Sequence, residues 1–168
     1  MSGKRLPAPE RLRRLLERAA KRRQRLLVLG IGNEMLGDDA VGHLLAEELA
    51  PLEREGFVAA AVGVAIENAG PLVRRHRPNV LLLIDAATGL GRAPWAFVPP
   101  SRLDSFCHST HSVPLSLLVA AWKTDNPALA VRFIGVTPHS NELGAPLSPR
   151  VAAARAEIAR IFRECLTG

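Results

Sequence analysis

No apolar run in this chain reaches the length of a membrane span, and no hydrophobic secretory segment opens it. Only two cysteines occur, Cys107 and Cys165. They make no Cys-x-x-Cys pair and no disulfide framework, so a reducing compartment is expected and the cytoplasm is the predicted location. Three protease signatures are missing: the Gly-x-Ser-x-Gly elbow, the His-Glu-x-x-His helix and the Asp-Thr-Gly loop. Standard serine, zinc and aspartic-protease chemistry each lack their mark. The nucleotide loops fail on spacing. The sixth position of a Gly-x-Gly-x-x-Gly fingerprint begun at Gly30 is Met35, and no Gly-Lys-Ser/Thr is present.

What the chain does have is the stretch Leu26-Leu27-Val28-Leu29-Gly30-Ile31-Gly32-Asn33, followed by Gly37-Asp38-Asp39-Ala40-Val41-Gly42. Four apolar residues in a row before glycine suit a strand covered on both faces. Gly30 and Gly32 permit tight backbone geometry at its C-terminal end. In an open α/β sheet that edge is where ligands sit. Two carboxylates beside the loop would repel a pyrophosphate, so the acids point to a bound cation or to proton transfer.

At 168 residues the chain suits one domain with a real core. Its net charge of +6 is unevenly spread. Residues 1–25 hold ten Lys and Arg against two Glu, a local +8 that leaves the remainder at −2. The division read from this is a basic N-terminal helical extension over 1–24 and one domain over 25–168. Leu12, Leu15, Leu16 and Ala19 are spaced for a short amphipathic helix. Such a helix can be a solvated basic element without a ligand, a dock for an acidic partner or RNA, or a transit segment. The domain itself is not expected to bind nucleic acid.

Val41, Leu44, Leu45 and Leu49 mark a helix ending near Arg54; Phe57 to Val64 reads as a strand; Gly70 to His76 reads as a short helix stopped by Pro78. Val80 to Asp85 is the strongest strand, apolar throughout and ending in an acid. A short strand is predicted at Ala96 to Val98, a helix at Val113 to Trp122 and a strand at Ala130 to Val136. A final helix opens with Ser148 as N-cap and Pro149 at its first position. This alternation predicts a three-layer α/β fold: a twisted, mostly parallel sheet of about five strands with helices on both faces.

Asp39, Asp85 and His111 each fall at a predicted strand end or loop. Such loops converge in parallel sheets, and two carboxylates with one imidazole suit a divalent first-row metal such as nickel or zinc. Each residue also has a plainer role. Asp38 is expected to cap the helix, and Asp39 can do the same. Asp85, half buried at the end of an apolar strand, can hydrogen-bond neighbouring loop amides. His111 and His108 can be surface residues, or His111 can serve Cys107 as a base. Cys165 is expected in the core and His139 in a loop.

The set Leu29-Gly30-Ile31-Gly32-Asn33, Gly37-Asp38-Asp39-Ala40-Val41-Gly42, Ile66-Glu67-Asn68, Ile84-Asp85-Ala86, Thr110-His111-Ser112-Val113-Pro114-Leu115 and Leu147-Ser148-Pro149-Arg150-Val151 resembles the hydrogenase maturation endopeptidases. The match spans roughly Leu26 to Leu166 and is most like the formate-hydrogenlyase-type branch. The resemblance implies an endopeptidase that removes the C-terminal peptide from the nickel-loaded precursor of a nickel–iron hydrogenase large subunit. It implies that Asp39, Asp85 and His111 contact nickel and form the catalytic set. It also implies that the enzyme keeps no permanent cofactor, because the substrate brings the nickel. The other readings of the same residues are a non-catalytic nickel or precursor chaperone and a nucleotide-binding α/β protein.

Overall fold

The structure, a computed structural model, describes residues 6–106 and 113–167. Five strands form one sheet: β1 (Leu26–Ile31), β2 (Phe57–Gly63), β3 (Val80–Ala86), β4 (Trp95–Val98) and β5 (Ala130–Val136). Their order is β2-β1-β3-β5-β4, with every pairing parallel except β4 against β5. The helices are α1 (Ala8–Lys21), α2 (Val41–Leu49), α3 (Gly70–His76), α4 (Leu103–Phe106), α5 (Leu115–Asp125) and α6 (Pro149–Thr167). This is the α/β fold expected from the alternation. The short α4 carries no helical period and was not anticipated.

Alternate residues of the central strands feed two cores, as the period of two demands. Leu26, Val28, Leu82 and Ile84 meet α1, α2 and α6 on one face. Leu27, Leu29, Leu81 and Leu83 meet α3, α4 and α5 on the other. Strands buried on both faces explain the uninterrupted apolar runs in β1 and β3.

The basic extension differs from a solvated helix. Leu12, Leu16 and Ala19 of α1 are buried in the first core, and Arg13 pairs with Glu164 of α6 at 2.5 Å. The Arg11 guanidinium lies 4.4 Å from the centre of the Phe97 ring in β4. The boundary at residue 24 therefore marks a change of charge; the packing is continuous across it. A helix of this length gains most of its stability from such packing. Cys165 packs against the same core, where burial pushes its thiol pKa up.

Candidate active site

The site is assembled by glycine contacts. A Cβ on Gly42 would lie 2.2 Å from the carbonyl oxygens of both Ile31 and Ile84, and one on Gly30 would lie 2.0 Å from the Gly42 carbonyl. The first turn of α2 therefore sits directly on the ends of β1 and β3. Asp39 precedes that turn by a few residues, and Asp85 follows Ile84. The glycines bring together two acids that are far apart in the chain.

Asp39 lies in a 3-10 turn, Gly37–Ala40, and is partly exposed. Its Oδ2 accepts the Asn33 amide at 2.9 Å, which folds the β1 loop back onto it. Gly32, at φ 137, allows the same approach: a Cβ there would be 1.9 Å from the Asp39 carbonyl. The Asn33 amide is thus committed to a carboxylate, where a phosphate loop would leave it free. This opposes the nucleotide-binding reading.

Asp85 is 3% exposed. Its Oδ1 accepts the amide of Ala86, the last residue of β3, at 2.8 Å. Burial and the nearby Asp39 charge hold its pKa well above the ordinary carboxylate value, only partly offset by that hydrogen bond. Among the described residues, no Lys, Arg or His is ion-paired with Asp39 or Asp85. A buried carboxylate facing a second one requires a proton or a cation.

Asp38 corrects the sequence reading. It is fully buried and makes no cap bond to its own turn. Its carboxylate instead accepts the amides of His139 (2.7 Å), Ser140 (2.9 Å) and Ser148 (2.6 Å), together with the Ser148 hydroxyl (2.8 Å). Burial pushes the Asp38 pKa up, but these four hydrogen bonds outweigh it and leave the carboxyl below its ordinary value. Asp38 therefore ties the loop after β5, and the start of α6, to the sheet edge that bears Asp39 and Asp85. The Ser148 hydroxyl, expected to cap α6, points to Asp38. Nothing in the spacing distinguishes this role from capping, because the partners lie about a hundred residues downstream.

His43 on α2 has no sequence spacing that sets it apart from a surface histidine. Its Nε2 lies 3.5 Å from Glu34 and 3.3 Å from Glu47, beside the β1 loop. His139 is exposed and contributes through its backbone amide. His111, with His108 and Cys107, lies outside the described residues. Among the described residues, no three His, Cys, Asp or Glu side chains are grouped to hold a metal ion. The pair Asp39 and Asp85 is brought together; the place of the third member is not described.

The chain is 35% identical to the hydrogenase 3 maturation protease of Escherichia coli K12 over 114 residues, covering 67% of this chain and 72% of the relative. The chain belongs to the hydrogenase maturation protease family. Solved structures agree. HycI, a [NiFe] hydrogenase maturation protease of Thermococcus kodakarensis, superposes with a TM-score of 0.77 at 25% identity, covering 92% of this chain and 99% of that one. The endopeptidase HycI of Escherichia coli superposes at 0.69 with 30% identity, covering 83% and 90%. No protein-family model matches the chain. Family membership makes the chain a peptide hydrolase. Among the described residues, no helix is long and apolar enough to cross a membrane.

Proposed function

We propose that this chain is a cytoplasmic endopeptidase that removes the C-terminal peptide from the nickel-loaded precursor of a nickel–iron hydrogenase large subunit. The hydrogenase 3 relatives favour a client of the formate-hydrogenlyase type. The observation that carries the reading is Asp85, buried, without a cationic partner among the described residues, and repelled by Asp39. A divalent ion relieves both penalties. By the family resemblance His111 would join the two carboxylates, and such a donor set suits nickel as a borderline ion. Three such ligands bind a free ion weakly, whereas nickel already held by the precursor can complete its coordination here. The metal belongs to the substrate, and the enzyme keeps none.

In this reading Asp39 and Asp85 hold the loaded precursor so that the scissile bond lies against the catalytic edge. Water adds to the carbonyl carbon, the C–N bond breaks, and the water's protons end on the released amine and in solvent. A carboxylate left free of the ion can take the first proton.

The test is mass spectrometry of the precursor after incubation, with and without nickel loading. Loss of a C-terminal peptide only from the loaded form is the expected result. Cleavage of both forms would reject nickel sensing. Tight binding with an unchanged mass would reject peptidase action in favour of the chaperone reading.

A further inference from the structure

The sheet edge opposite Asp39 and Asp85 is strongly basic. The turns leading into the parallel strands β1, β2 and β3 carry Arg22, Arg23, Arg25, Arg54 and Arg77 against Glu53 and Glu55, and all five arginines are exposed. These turns are fixed to one another. The Arg25 amide donates to Asn79 Oδ1 and its Nε to the Arg77 carbonyl, each at 2.8 Å. The Leu26 amide donates to the Gly56 carbonyl at 2.8 Å, and Arg54 donates to the Leu166 carbonyl. Among the described residues, none of these arginines is ion-paired with a carboxylate. A cavity of about 670 Å³ opens beside Arg23, Arg25 and Arg54, with Leu26, Phe57 and Leu166 in its lining and Glu55 as its one lining carboxylate.

A second observation points the same way. Among the described residues, Arg23 (φ 49) and Arg77 (φ 42) are the only non-glycine residues in the left-handed region. Both follow the last turn of a helix, α1 and α3, where glycine adopts that conformation at no steric cost. Side chains held in a strained conformation point to a use for the side chain. Both strained positions are arginines, and both lie on this edge.

We propose that this edge docks an acidic protein segment, with one of its apolar side chains entering the cavity and its carboxylates meeting Arg23, Arg25, Arg54 and Arg77. The cavity decides between polyanions. Single-stranded nucleic acid needs aromatic platforms, and the aromatic residue in the cavity lining, Phe57, is buried. An anionic bilayer needs protruding apolar anchors, and none of the exposed large apolar residues, Leu6, Met35, Val64, Leu117 and Leu143, lies on these turns. A concave apolar floor ringed by guanidinium groups fits a peptide that alternates acid and hydrocarbon.

The experiment uses the full chain and a fluorescein-labelled dodecapeptide of alternating glutamate and leucine, followed by fluorescence anisotropy. The expected result is saturable binding that weakens at least about tenfold between low and high salt, as exposed charge pairs are screened. An all-glutamate peptide should bind more weakly. The paired variant Arg23→Gly with Arg77→Gly should weaken binding about fivefold or more while keeping or raising the Tm, because the strain is removed. Unchanged binding in that variant would overturn the proposal, as would equal affinity for the all-glutamate peptide. It would also be overturned if the peptide failed to bind, or if a single-stranded oligonucleotide or phosphatidylserine vesicles bound more tightly than the peptide.

Discussion

Asp85 is held at a cost to the fold. With its pKa raised by burial and by Asp39, the native state keeps a proton that the unfolded chain releases. Its effect on stability is therefore least unfavourable below the ordinary carboxylate range. The effect becomes adverse as pH rises from there to the raised native value. Asp85→Asn should accordingly raise stability at neutral pH by on the order of 1–2 kcal/mol, measured by urea unfolding, while abolishing precursor processing. Processing by the unaltered chain should decline on acidification at a pH above that of an ordinary carboxylate, seen in a pH–rate profile. Asp38 has the opposite sign. Its depressed pKa supplies stability that is present above the ordinary carboxylate value and is lost as pH falls through the native one. Asp38→Ala removes the acceptor of three amides and a hydroxyl and should cost about 2–4 kcal/mol by the same assay. Hydrogen exchange should show its largest increase at His139, Ser140 and Ser148.

The element that governs the site is the seat of α2 on β1 and β3. Gly42→Ala places a methyl group 2.2 Å from two backbone carbonyl oxygens at the ends of β1 and β3. The expected cost is about 1–3 kcal/mol. The helix must lift, and Asp39 moves with it away from Asp85. Processing should fall by more than the loss of folded protein explains, so the rate per folded molecule is the quantity to measure. The Glu48 carboxylate on the outer face of α2 pairs with Arg155 and Arg163 of α6, holding the helix from its other side.

Across the whole molecule, α1 closes the first core, because Leu12 and Leu16 meet α6 there. Leu12→Ala should cost about 2–4 kcal/mol, and removal of residues 1–23 more, both read as a lower urea midpoint. A truncation that left the midpoint unchanged would show that α1 contributes no packing energy. The two ends of the sheet also differ in charge: acids gather at the C-terminal ends of the strands and arginines at the start of β1, β2 and β3. A substrate-borne cation and an acidic partner would thus be received at opposite ends, without competing.

The apolar runs of β1 and β3, the helical period of α6 and the acid at the end of β3 sufficed to predict a three-layer parallel fold and to single out Asp39 and Asp85. Those signals are local, since a strand buried on both faces must be apolar along its length and a charge ending it needs a reason. The role of Asp38, the packing of α1 and the contact between Gly42 and the strand carbonyls were not legible. Each depends at least in part on partners roughly 40 to more than 100 residues away, and a capping acid and a tethering acid look alike until those partners are in place. Sequence alone determined the buried strands and the acids that end them. Tertiary structure decided which of them meet, because glycine contacts and buried hydrogen bonds act across distances in the chain that no local pattern records.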